Sequence, residues 1–230
     1  MFNFIIKLID AMVWPLLLTV LIWIMFFLNH GYHLEWNFYG LRPMEFKGLI
    51  GIVSMPFLHG NFDHLFSNTI PLLLSMSFIF LYFKEVKWNI LAVIYLGSGF
   101  LLWFIAHPKS NHIGASGLVY GYIAFMVTHA FLTKNKHTIA AAMILIFLYG
   151  SLVYGIFPEY GKLIGKNISW EGHLSGLIIG IVTALLYRKK GPQRIVYFPD
   201  EDEEEDHDDD DSQPIDIYYH YTNNSQDPLS

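Results

Sequence analysis

The sequence predicts an all-α integral membrane protein, a bundle of six transmembrane helices, and three observations predict it. The 230-residue chain is 53% hydrophobic, so apolar residues alone exceed what a small soluble core needs. Its body breaks into six stretches free of Asp, Glu, Lys and Arg, at 11–34, 64–83, 88–108, 110–133, 137–158 and 172–187. Basic residues gather at alternate ends of those stretches, as they do where successive spans reverse direction.

The stretches are long enough to cross. A helix rising 1.5 Å per residue needs about 20 apolar residues to traverse a hydrocarbon core near 30 Å. Five stretches meet that length, and the last, Gly172 to Tyr187, is short. The first resembles a signal peptide with Lys7 as its basic flank, but the apolar run from Ala11 to Leu28 is too long for one. It is expected to be a retained first span. Between the first two spans lies a long segment, His30 to Asp63, whose uncharged second half from Gly48 to Phe62 is too short to cross. Such a segment is expected to be interfacial or re-entrant and buried against protein. The connections at Lys84–Lys87 and Lys134–Lys136 are tight. With the N-terminus inside, the inner segments carry nine basic residues and the outer ones five, which predicts that both termini are cytoplasmic.

After Tyr187, Arg188-Lys189-Lys190 marks the inner headgroups and Gly191-Pro192 breaks the helix. Residues 1–191 are therefore expected to form the membrane domain and 192–230 an acidic, disordered cytoplasmic tail. Eleven of the twenty acidic residues fall between Asp200 and Asp211, and a segment of that composition buries no core. The net charge of −6 belongs to this tail and points to no nucleic-acid partner. The chain has no cysteine, which excludes disulfides and thiol catalysis.

Three polar features stand where lipid-facing sequence is expected. They are Gly114-Ala115-Ser116-Gly117, the segment His59 to His64 followed by Asn68, and Gly172-His173-Leu174-Ser175-Gly176. Polar residues in spans face a bundle interior or a wet cavity. Counted back from the inner basic flanks, Ser116, His173 and His64 lie at heights of about 27, 22 and 30 Å. Three polar centres on three spans thus share one level. A serine hydroxyl is a weak nucleophile until a base takes its proton, and neutral histidine is that base near pH 7. The pair Ser116 and His173 needs close helices, which Gly117-x-x-x-Gly121 and Gly176-x-x-x-Gly180 permit. His64 and Asn68, four apart, share a helix face and are candidate donors to a developing oxyanion.

Gly114-Ala115-Ser116-Gly117 with Tyr120, the set His59, His64 and Asn68, and Gly172-His173-x-x-Gly176-x-x-x-Gly180 together resemble the motifs of rhomboid intramembrane serine proteases. The resemblance covers roughly residues 11–190. It implies a six-helix rhomboid-type bundle of a bacterial plasma membrane, with a water-filled outer cavity. It further implies Ser116 as nucleophile, His173 as base, Tyr120 packed on that imidazole, and His64 with Asn68 at the oxyanion, supported by Gly114 and Gly117. The implied partners are the bilayer and single-span or other membrane-anchored protein substrates, cleaved in or near their transmembrane segments. The family often carries an adjacent Trp-Arg pair in its first outer loop; here Trp36 and Arg42 are separated.

Other readings stand beside this one. Gly114 to Gly117 alone fits a helix seam. His30, His33, His107 and His112 fit interfacial positions, His59 a structural loop position, and His129 and His137 lie near the inner end. A catalytically silent relative would bind membrane clients but is expected to lose the serine or the base, and both are present. A metal-dependent enzyme would draw on seven outer histidines of the eleven, but no His-Glu-x-x-His occurs, and His59 and His64 are poorly spaced for a shared metal. No cofactor and no metal are implied. Cleavage of a reporter substrate is accordingly expected to be unchanged by strong chelators. Stoichiometric zinc or iron in purified protein, with activity lost on its removal, would hand the case to the metal reading.

Overall fold

A computed structural model describes residues 2–163 and 168–194; of the tail expected over 192–230, everything from residue 195 lies outside the described residues. Among the described residues the regular structure is helical, apart from a lone antiparallel bridge between Leu41 and His112. The first helix, α1, spans Phe2–Gly31 with Pro15 inside it. Proline removes one backbone donor, and in a lipid-facing helix the local turn must absorb the change. The carbonyl that loses its helical donor is that of Ala11; separately, the Thr19 hydroxyl donates to the Pro15 carbonyl at 2.8 Å.

The outer segment then folds into short turns, the last of which include α2 (Gly51–Ser54) inside an apolar helical stretch, Phe46–Phe57. This stretch packs against α4 (Lys87–Ile105), after α3 (Phe62–Tyr82). The Trp103 ring N–H donates to the Glu45 carbonyl at 3.0 Å, the Met44 N–H donates to the Trp103 carbonyl at 3.2 Å, and the Tyr95 hydroxyl donates to the Val53 carbonyl. Gly51 lies so close to the Leu41 backbone that any side chain there would collide with it. The segment is therefore held by backbone approach and by α4. Arg42 serves locally, 3.3 Å from the Glu45 carboxylate and 4.7 Å above the Phe38 ring. Trp36 contributes its backbone N–H to Asn29 at 2.8 Å.

The remaining helices are α5 (Ser116–Thr133), α6 (Lys136–Tyr149), α7 (Pro158–Leu163) and α8 (Trp170–Leu186). Polar side chains cap the starts of α3, α6 and α8. The Asn61 side chain accepts from the His64 N–H at 2.8 Å, and the Asn135 side chain accepts from the His137 N–H at 2.9 Å, each occupying an otherwise orphaned first-turn donor. Lys134 takes a left-handed conformation, φ 52°, which lets α5 turn into α6 within two residues.

Among the described residues, five helices are long and apolar enough to cross a membrane: Ile5–Gly31, Phe62–Tyr82, Lys87–Ile105, Ser116–Thr133 and Lys136–Ile156. Helix α8, with 17 residues, is shorter than these. Large apolar side chains such as Leu17, Ile24, Phe100, Phe104 and Phe147 stand exposed on α1, α4 and α6. Patches of that kind are costly in water and natural against lipid. Helix α5 differs: two thirds of its span is buried, against half or less in the other four, so its neighbours shield it and polar residues are tolerated along it.

Helices α5 and α8 meet backbone to backbone. A Cβ at Gly176 would run into the Gly117 carbonyl, and one at Gly180 into the Gly121 carbonyl. On the other side, a Cβ at Gly117 would sit 3.2 Å from the Gly172 carbonyl and one at Gly121 3.3 Å from that of Gly176. Small residues allow this approach where lipid supplies no hydrophobic drive between helices. Gly176→Leu is expected to destabilise the folded protein by about 1–3 kcal/mol or more, through overpacking that the carbonyl cannot yield to. The measurement is the thermal midpoint in detergent, with Gly31→Ala as control, since nothing lies within 4 Å of a Cβ there.

Candidate active site

Ser116 is the first residue of α5, and the chain reaches it through a turn that glycine permits. Gly114 has φ +112°, outside the range of ordinary side chains, and its N–H donates to the Met55 carbonyl at 2.8 Å. A Cβ at Gly114 would lie 2.6 Å from His64 Nε2 and 3.7 Å from Asn68 Nδ2, so the absence of a side chain keeps open the space that both residues face.

His173 sits in the first turn of α8. Its backbone N–H donates to the Ser169 carbonyl at 3.1 Å, and the Gly172 N–H donates to the Ser169 hydroxyl oxygen at 3.3 Å, so one serine caps the turn that carries the imidazole. Across the glycine seam, His173 Nε2 is 2.9 Å from Ser116 Oγ. The other ring nitrogen, Nδ1, is 2.9 Å from the Gly155 carbonyl. A carbonyl oxygen only accepts, so Nδ1 carries the proton. Nε2 is then left with its lone pair toward the Ser116 hydroxyl, and the hydroxyl donates to it. The Tyr120 ring lies flat on the imidazole, centroids 4.2 Å apart and planes within 8°. The Tyr120 hydroxyl donates to the Leu152 carbonyl. Both contacts from 150–156 depend on Gly155, where a Cβ would strike the Tyr120 hydroxyl and lie 2.9 Å from His173 Nδ1.

This constellation, a hydroxyl facing an unprotonated imidazole nitrogen at a helix–helix seam, lies within a stretch that matches a known domain. Residues 47–190 match the rhomboid domain family. The chain belongs to the rhomboid family. An uncharacterized protein of Mycobacterium tuberculosis is 35% identical over 161 residues, covering 67% of this chain and 65% of its own length. An uncharacterized protein of Mycobacterium leprae is 35% identical over 161 residues, with 62% of its length covered. Rhomboid-like protease 5 of Toxoplasma gondii is 30% identical over 147 residues, 61% of this chain and 16% of that protein. The chain thus spans somewhat less than two thirds of the length of its mycobacterial relatives. With its apolar helices, the rhomboid domain makes this an integral membrane protein.

Within the rhomboid domain, Asn68 is more heavily engaged than the sequence suggests. Its side-chain amide donates to His59 Nε2 at 3.2 Å and to the His64 carbonyl at 3.1 Å, which occupies both hydrogens. The His59 ring, 1% exposed, also stands edge-on to that of His64 at 4.9 Å. His64 itself is half-buried, with its ring turned to Gly114.

Sequence reasoning missed three features, two of them at this site and one at the opposite end of α5. The Gly155 carbonyl is one, since a backbone atom has no signature in residue type. The second is His112, expected at the interface. It is only 6% exposed and bonds to two serines, and the bridge to Leu41 pulls it inward. The third is His129, given no role but fully buried, with Nε2 donating to the Lys190 carbonyl at 2.9 Å and its ring against Phe83. Among the described residues no group of three or more His, Cys, Asp or Glu is arranged to hold a metal ion.

The double engagement of Asn68 has a measurable consequence. Asn68→Ala leaves the buried His59 ring without its donor, and an unsatisfied buried group costs about 1–3 kcal/mol. A lower thermal midpoint is expected in Asn68→Ala, whereas Ser67→Ala, whose hydroxyl bonds locally to the exposed His64 carbonyl edge, is expected to change little.

Proposed function

We propose that this rhomboid is an intramembrane serine endopeptidase that hydrolyses peptide bonds of membrane-anchored proteins in or beside their transmembrane segments. The observation that carries the reading is the pair of contacts on one imidazole: 2.9 Å from Nε2 to the Ser116 hydroxyl and 2.9 Å from Nδ1 to the Gly155 carbonyl. The first gives the hydroxyl a base; the second keeps that base in the tautomer that can accept a proton. The name of the Toxoplasma relative agrees with this chemistry.

In this reading the Ser116 hydroxyl passes its proton to His173 Nε2 as Oγ attacks the scissile carbonyl. The negative charge that develops on the carbonyl oxygen is met by the His64 ring and by N–H groups at the start of α5, which have no acceptor within their own helix. Asn68 joins them when one of its amide hydrogens is released from His59 or the His64 carbonyl; otherwise it holds the His59 ring, which stands edge-on to His64. Collapse of the tetrahedral species returns the proton from Nε2 to the leaving amine and leaves an acyl group on Oγ. Water, deprotonated by the same nitrogen, then releases the acid. Tyr120 keeps the imidazole plane fixed through these transfers. The substrate helix must unwind locally, because its own hydrogen bonds occupy its carbonyls.

The topology that suits this chemistry has α8 as a sixth crossing and both termini cytoplasmic, in a bacterial plasma membrane. At about 25 Å, α8 is short of the hydrocarbon thickness. A helix whose outer end opens into a wet cavity needs no more, and His173 lies at that end.

Ser116→Ala and His173→Ala are each expected to abolish cleavage of a single-span reporter, and both to lose fluorophosphonate labelling, in protein that remains folded. Full turnover in Ser116→Ala would sink the reading. His64→Ala is expected to lower kcat on the order of 100- to 1000-fold with little change in KM, because an oxyanion donor acts mainly in the transition state. Normal turnover with a lowered melting temperature would instead assign His64 to packing.

A further inference from the structure

The link between Ser116 and His173 has a counterpart four residues upstream on both chain segments. His112 Nδ1 lies 2.6 Å from the Ser169 hydroxyl, and this pair, like Ser116 and His173, is separated by 57 residues. The residue types are exchanged: histidine stands on the segment leading into α5 and serine on the one leading into α8. One cross-tie therefore precedes the dyad, a helical turn's worth of chain away on each side.

The direction of every hydrogen in this tie follows from its far end. The Ser110 hydroxyl donates to the His107 carbonyl, which only accepts. With its hydrogen so used, Ser110 Oγ accepts from His112 Nε2–H at 2.7 Å. A neutral imidazole protonated on Nε2 offers Nδ1 as an acceptor, so the Ser169 hydroxyl donates to it. The Ser169 oxygen then keeps its lone pairs for the Gly172 N–H at 3.3 Å, in the turn that holds His173. Burial pushes His112 below the ordinary histidine value, with Glu171 opposing, which agrees with a neutral ring. The same residue is stitched to the first outer loop through its backbone, whose N–H and carbonyl each pair with Leu41 at 2.9 Å.

Resting on the dyad reading, we propose that His112 and Ser169 are positioning residues: their hydrogen bond fixes the first turn of α8, and with it His173, to the segment that delivers Ser116. Neither touches a reacting atom. Their contribution is to hold the imidazole within reach of the hydroxyl, and positional looseness of such a base lowers turnover more than binding.

The test compares His112→Phe, Ser169→Ala, the double variant and Ser169→Thr in full-length protein in detergent. Hydrogen exchange at the Gly172 and His173 amides reads the clamp without reference to activity. His112→Phe keeps the ring's bulk and leaves Ser169 in place, so a packing role leaves exchange at these amides unchanged. The clamp predicts faster exchange there in His112→Phe and in Ser169→Ala, and near-normal exchange in Ser169→Thr, which retains the hydroxyl. Per folded molecule, each of the first two is expected to lose about 10- to 100-fold in kcat, the range for orienting partners one step from a reactive group, with KM within about twofold. The double variant is expected to be no worse than the poorer single one, since both break the same chain. Unchanged exchange at Gly172 and His173 in His112→Phe overturns the proposal whether or not the protein cleaves any substrate. Faster exchange with unchanged kcat removes the positioning role while leaving the dyad intact. Failure of the dyad reading shows separately, as full turnover in Ser116→Ala.

Discussion

Two helices touching through their backbones set the dimensions of this protein's interior. The Gly117 carbonyl fills the place where a side chain at 176 would stand, and the Gly121 carbonyl does the same at 180. Ser116 is the neighbour of Gly117, and His173 stands three residues before Gly176, so the two polar groups are never more than a turn from the contact. A seam one methyl group wider would open the 2.9 Å separation between Oγ and Nε2 beyond hydrogen-bond reach. The closeness of the helices and the pairing of the two side chains are thus one geometric fact. Lipid contributes nothing toward it, because hydrocarbon is as apolar as leucine, and packing alone must hold the seam.

That constraint explains why α5 is enclosed. A helix carrying Ser116, Tyr120, Tyr122, His129 and Thr133 cannot face lipid cheaply, and α3, α4, α6 and α8 surround it. The surrounding helices carry the exposed apolar surface. The outer segment from Phe46 to Phe57 closes over α4, and its Met55 carbonyl receives the Gly114 N–H, which ties the turn before Ser116 to a segment remote in sequence.

Much of this was legible in the residues. Ser116 and His173 stood out because a polar residue flanked by glycines is anomalous in an apolar stretch, and the four-residue glycine spacing named the seam that joins them. The short last helix was visible by counting. What escaped notice was of two kinds. Contacts made by backbone oxygens, such as Gly155 to His173, leave no mark on residue choice beyond a glycine indistinguishable from others. Contacts between loops, such as His112 to Ser169, lack any period, so His112 read as a headgroup histidine until the bridge to Leu41 drew it inside. Asn68 was legible as sharing a face with His64 but not as donating to His59, because that partner precedes the helix and folds back over it. Depth reckoning from the basic flanks brought three polar centres to one level without saying which pairs would touch.

The group that orients the imidazole is a main-chain oxygen, and this alters how the site responds to genetic change. In a triad built from side chains, the orienting member can be deleted by a single codon change and its contribution read directly. Here replacing residue 155 never removes the oxygen; it only displaces it, by wedging a side chain between the Tyr120 hydroxyl and the imidazole. Mutational scanning would therefore register position 155 as intolerant on steric grounds and pass over the hydrogen bond altogether. The orientation of the imidazole is encoded in the path of the 150–156 segment, so drift in that segment's anchoring residues shifts the ring without touching Ser116 or His173.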